Sequence, residues 1–133
     1  MRFSEIKKLI DAYVKQNNNV FADLSLDYCD KPCPYEMVFP PQDKCLEKKG
    51  LFFFTSPDDE ILLIGKSKTT IADALAKQQE EMNKMASQTG DPKEYNVHTI
   101  RVRPAYYQSM ILSVLLTMVF GAEGKLPPLN KTI

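Results

Sequence analysis

The chain has 133 residues, 44% of them hydrophobic, and 17 basic side chains balance 17 acidic ones. That length buries one core and is too short for two ordinary domains. Zero net charge excludes a global field drawing the chain to nucleic acid or to an anionic membrane, so any polyanion site must be a local patch.

Residues 1–16, MRFSEIKKLIDAYVKQ, are charged and amphipathic, without the apolar core and cleavage site of a signal peptide. Ser4 is placed to cap a helix in which Phe3, Ile6, Leu9, Ile10, Tyr13 and Val14 recur at helical spacing, opposite Glu5, Lys7, Lys8, Asp11 and Lys15. It should end in Gln16-Asn17-Asn18-Asn19 and close one side of the core; a partner-binding helix is the alternative. Residues 20–41 carry Pro32, Pro34, Pro40 and Pro41, which limit regular pairing. Short strands are expected at 20–26 and 36–39. Phe21, Leu24, Leu26, Tyr28, Tyr35, Met37, Val38 and Phe39 are too apolar to stay in water, so this is an ordered arm laid over the domain.

Cys29, Cys33 and Cys45 are an odd count, and with no export signal they read as free, partly buried thiols rather than a disulfide framework. With His98 they can be written as a four-ligand zinc set, but only Cys29 and Cys33 have the close spacing such sites use at both ends. No metal and no cofactor are expected.

Residues 50–67, GLFFFTSPDDEILLIGKS, form the most informative stretch. Two apolar runs, 51–55 and 61–64, flank Ser56-Pro57-Asp58-Asp59-Glu60, whose turn chemistry predicts a β-hairpin with a solvated acidic tip. Thr69 or Thr70 then caps a helix over 71–88, with Ile71, Ala74, Leu75, Met82 and Met85 inward, ended by Gly90 and Asp91-Pro92. Residues 95–103 alternate: Val97, Thr99, Arg101 and Arg103 share one face, and His98, Ile100 and Val102 the other, a third strand with one basic side. His98 reads as a satisfied buried imidazole. Pro104 opens a last helix over 105–120, apolar nearly all round and so expected to be the most buried, which Gly121 stops. Its near-apolar run, 110–120, is short of the roughly 20 residues that cross a bilayer. The tail Lys125-Leu126-Pro127-Pro128-Leu129-Asn130 is too proline-rich for a helix.

The expected fold is α+β: a small three-stranded antiparallel sheet flanked by helices, with residues 1–38 as an N-terminal helix and irregular arm packed on a domain of residues 39–133. A soluble, cytoplasmic protein with no membrane association is expected, its oligomeric state open.

Gly50-Leu51-Phe52, then Leu63-Ile64-Gly65-Lys66-Ser67, then helix, strand, helix and a terminal Pro-Pro-Leu-Asn resemble the GIY-YIG nuclease family over roughly residues 39–130. The Gly-Lys-Ser is not a P-loop, because that motif needs a glycine where Glu60 stands. The resemblance implies the fold above and a nuclease cleft, but its catalytic positions are replaced. Phe52 and Leu63 stand where the family has tyrosines, so no hydroxyl is there to move a proton. The family's phosphate-steadying arginine falls near Asp73 or Ala74, and its metal-binding glutamate near Tyr107 or Gln108. Gly50, Gly65, Lys66, Ser67 and Asn130 keep the pattern.

No catalytic residue is therefore assigned. The expectation is a catalytically degenerate, non-enzymatic domain binding DNA or RNA through Lys66, Ser67, Lys68, Arg101 and Arg103. The alternatives are a protein-interaction module on the same fold, and a metal-dependent endonuclease whose groups have moved to Tyr106, Tyr107 and Glu123. A steep salt dependence marks the first, salt-insensitive binding to a protein the second, and metal-dependent cleavage the third.

Overall fold

The computed structural model describes residues 1–88 and 91–131. It is α+β: among the described residues, four helices pack on an open, antiparallel five-stranded sheet. The strands are β1 (Ser25–Tyr28), β2 (Cys33–Pro34), β3 (Gly50–Thr55), β4 (Ile61–Lys66) and β5 (Asn96–Arg103). Their order is β1-β5-β3-β4, and β2 extends the β1 side by pairing with the start of β5. The helices are α1 (Phe3–Gln16), α2 (Ile71–Ala76), α3 (Gln79–Gln88) and α4 (Tyr107–Glu123).

Strand alternation sorts the apolar side chains into two cores, one on each face of the sheet. On one face Leu51, Phe53, Ile64, Ile100 and Val102 meet Ile6 and Ile10 of α1 and Ile111, Leu115, Leu116 and Val119 of α4. On the other, Phe52, Phe54, Leu63 and Val97 meet Ile71 and Leu75 of α2, Met82 and Ala86 of α3, and Tyr35, Val38 and Leu46 of the arm. β3 is buried along its whole length because it is central and covered on both faces.

The hairpin and third strand expected from the sequence are β3, β4 and β5, but the sheet is wider than three strands. The arm supplies the other two, since Ser25 to Tyr28 pair with Arg103 to Ile100, and Cys33 and Pro34 with Val97 and Asn96. The expected strand at 20–26 thus lies further on. Where one was expected at 36–39, the backbone makes a 3-10 turn, Tyr35–Met37. Pro34 is tolerated because it sits in an outer strand, where a missing N–H breaks no interior ladder.

Other boundaries differ for local reasons. Arg2, not Ser4, caps α1, because the Phe3 N–H donates to the Asp59 carbonyl oxygen and starts the helix at the hairpin tip. Thr70 caps α2, its hydroxyl oxygen accepting the Asp73 N–H at 3.1 Å. The expected long helix is two, broken at Lys77-Gln78, between the buried Leu75 of α2 and the buried Met82 of α3. Its expected stop at Gly90 lies outside the described residues. α4 runs through Gly121 to Gly124, whose φ of 73° suits glycine and whose N–H closes on the Phe120 carbonyl oxygen at 2.8 Å. It is not buried all round: Met110 and Phe120 stand 44% and 48% exposed. Among the described residues no helix is long and apolar enough to cross a membrane.

Two of the cysteines expected to be free are bonded. Cys29, just beyond β1, and Cys45, in a 3-10 turn at Lys44–Glu47, form a disulfide with their Cα atoms 6.5 Å apart. Packing of the arm brings together residues that the spacing alone left unrelated. Cys33 is free and buried, its thiol pushed up to about 11 by burial and by nearby Asp43. His98 stacks on Phe3 at 4.0 Å, its side chain on the opposite face of the sheet from Cys33, so the four-ligand zinc set is not assembled.

Candidate nucleic-acid interface

The end of β4, the turn into α2 and the start of α4 are tied at one point. Gly50 N–H donates to Ser67 Oγ at 2.8 Å, and Ser67 N–H is shared between the Gly50 carbonyl oxygen and Gln108 Oε1, each at 3.0 Å. Gly50 is required here: a Cβ on it would lie 1.9 Å from the Ile100 carbonyl oxygen of the neighbouring strand. Ser67 and Gln108 are 6% and 3% exposed, polar groups buried with their partners satisfied. Beside them Lys66 Nζ donates to Ser109 Oγ at 2.6 Å.

This junction forms the wall of a cleft of about 810 Å³ between β4, α2, the start of α4 and the tail. Phe52 and Leu63 line its floor and are nearly fully buried. Phe52 covers Gly65 so closely that a Cβ there would lie 2.1 Å from the ring. The tail closes the side: Asn130 Oδ1 accepts the Ile64 N–H and Asn130 Nδ2 donates to the Ile64 carbonyl oxygen, both at 2.8 Å. Asn130 thereby satisfies one residue of the open edge of β4.

Four lysines, Lys66, Lys68, Lys77 and Lys131, line the cleft against two acidic side chains, Asp73 and Glu81. All four are exposed, and none makes an ion pair with a described residue. Asp73 is engaged by the Thr69 hydroxyl at 2.6 Å. A chain with no net charge thus carries a locally positive cleft.

Of the residues singled out by sequence, the cleft gathers Lys66, Ser67 and Lys68 and leaves Arg101 and Arg103 outside its lining. Ser67 shapes the wall with its hydroxyl committed to Gly50. Arg101 lies beside Gly50 on β5. Arg103 meets Asp27 Oδ2 at 2.7 Å and Ser25 Oγ at 3.4 Å across the β1 pair, so its charge is already matched. Sequence reading missed Lys77 and Lys131. The signal for Lys77 is its place one helical turn after Asp73, and for Lys131 its place directly after Asn130.

The displaced set Tyr106, Tyr107 and Glu123 is not assembled. Tyr107 and Glu123 are the two ends of α4, about 24 Å apart along its axis, and Glu123 meets the Met1 amine at 2.6 Å. Two of the three hairpin-tip carboxylates are likewise engaged. Asp59 faces His98 at 3.4 Å, and Glu60 meets the Met1 amine at 2.8 Å. Cys29, Asp43 and Cys45 hold their ligand atoms within 4.8 Å of one another, but the two sulfurs are bonded together and the group lies off the cleft. Comparison with family models, curated proteins and solved structures finds no match to this chain.

Proposed function

We propose that residues 39–133 form a GIY-YIG-like domain, carrying residues 1–38 as an added helix and arm, that binds nucleic acid without cleaving it. The observation that carries this reading is the cleft itself, with four lysines against two carboxylates in a chain of zero net charge. The resemblance draws support from geometry. Of the positions where it would put catalytic groups, Phe52, Leu63, Asp73, Ala74 and Gln108 line this one cleft although they are spread over 57 residues of sequence, and Tyr107, the alternative to Gln108, lies outside its lining. Asn130 clasping the backbone of Ile64 gives a structural role to another patterned position.

The chemistry left in the cleft suits phosphate binding. Lysines supply sequence-independent contacts to a phosphate backbone. Phe52 and Leu63 cannot move a proton, and the Gln108 amide is spent on the Ser67 N–H. Near-complete burial of Phe52 and Leu63 makes them a sealed floor rather than an open apolar pocket, which weighs against a protein module docking there.

Binding of a labelled oligonucleotide across a salt series tests the proposal. Four lysine contacts give a slope of log affinity against log salt of about −3. Lys68→Gln should flatten it by about one contact. A salt-insensitive affinity, or metal-dependent cleavage that survives further purification, refutes the reading.

A further inference from the structure

Charge explains the lysines of the cleft but not the aromatic ring at its mouth. Tyr106 lines the cleft and is 69% exposed, the most exposed of the large apolar side chains among the described residues. A free surface tyrosine samples several rotamers. This one is held: its hydroxyl donates to Asp23 Oδ2 at 3.2 Å, and its ring lies 4.7 Å from the ring of Tyr107. Tyr107 is itself fixed, its one hydroxyl proton shared between Asp23 and the Val20 carbonyl oxygen and its ring buried against Phe21. Asp23 receives both hydroxyls and is not among the residues that line the cleft.

A duplex offers phosphates to such a cleft but keeps its bases stacked on one another. An unpaired strand offers both, and single-strand binders combine a cationic track for the backbone with an aromatic ring for the bases. Because Tyr106 is already held at its hydroxyl and beside its neighbour's ring, stacking on it orders little that is not ordered beforehand. The volume, about 810 Å³, is in the range of small-ligand sites and suits an unstacked base with its adjoining phosphates.

Resting on the nucleic-acid reading of the cleft, we propose that its ligand is a single strand, with one unpaired base stacked on Tyr106 and the flanking phosphates on Lys66, Lys68, Lys77 and Lys131. Stacking is sequence-tolerant, so no strong base preference follows.

The test measures affinity for three probes of equal length, about 12 nucleotides, within the site sizes of single-strand binders. They are an oligothymidylate, an abasic strand with the same phosphates, and a duplex. The oligothymidylate should bind tightest. Tyr106→Ala should weaken it about tenfold, the scale of one stacked base, while leaving the abasic strand unchanged. Lys68→Gln should weaken both strands alike. The chain has no tryptophan, so Tyr106→Trp provides a sole indole whose fluorescence should be quenched by the oligothymidylate and not by the abasic strand. Equal binding of thymidylate and abasic strands, with no effect of Tyr106→Ala and no quenching, overturns the stacking proposal and leaves the phosphate-binding cleft standing. Binding of none of the three overturns both.

Discussion

Replacing Asn130 by alanine tests whether the C-terminal tail is part of the sheet. Two 2.8 Å bonds join its amide to the N–H and carbonyl oxygen of Ile64, and the Leu129 N–H reaches the Leu62 carbonyl oxygen at 2.9 Å. The tail thus covers the open edge of β4. Each bond contributes about 1 kcal/mol net, and the half-buried Ile64 groups regain water only in part, so Asn130→Ala should cost about 2–3 kcal/mol. With a urea m value of about 2 kcal/mol/M, the unfolding midpoint should fall by roughly 1 M with m unchanged. Asn130→Asp keeps an acceptor for the N–H but turns a carboxylate oxygen toward the Ile64 carbonyl. It should lose a similar amount at neutral pH and recover in part below about pH 4, where the new carboxyl becomes a donor. An Asn130→Ala midpoint equal to the parent's, with unchanged hydrogen exchange at the Ile64 amide, would refute this account of the edge.

Three further outcomes follow from the packing. Gly65→Ala sets a Cβ against the Phe52 ring and should destabilise by about 1–3 kcal/mol; combined with Phe52→Leu the loss should be smaller than the sum of the two, and an additive urea result removes the contact from consideration. His98 titrates below its ordinary value of 6.5 because burial outweighs the attraction of Asp59, so the unfolded chain takes up the proton first as pH falls. Stability from this group should be complete above pH 6.5 and decline below it, and His98→Phe should flatten that decline in urea midpoints measured between about pH 8 and pH 5. Thiol alkylation should label only Cys33 once the unreduced chain is denatured, and all three cysteines after reduction. Three labels without reduction would show the Cys29–Cys45 bond absent.

The two apolar runs at 51–55 and 61–64, separated by turn residues, placed β3 and β4, and alternation along 95–103 placed β5 and its two faces, because both signals are local. The same reading expected short strands in the arm, at 20–26 and 36–39, but did not join them to the sheet. Ser25 to Tyr28 are buried only in part and take their strand form from pairing with β5, a long-range contact that no local pattern announces. The helix over 71–88 was legible as apolar spacing, but its break at Gln78 depends on what α2 and α3 each pack against.

For the site, Gly50, Gly65, Lys66, Ser67 and Asn130 carried the family resemblance, and it was that resemblance that implied a cleft. Composition also limited any polyanion site to a local patch. Lys66 and Lys68 were named from the sequence, but which other charges line the cleft was decided by tertiary structure. Asp27 across the β1 pair matches Arg103, whereas the fold carries Lys77 and Lys131, 54 positions apart, to the same cleft as Lys66 and Lys68. The disulfide and the fixed ring of Tyr106 have the same origin. Each rests on partners distant in sequence, Cys29 on Cys45 and Tyr106 on Asp23, and a local pattern records residue types and periods but not which distant groups the packing brings within bonding range.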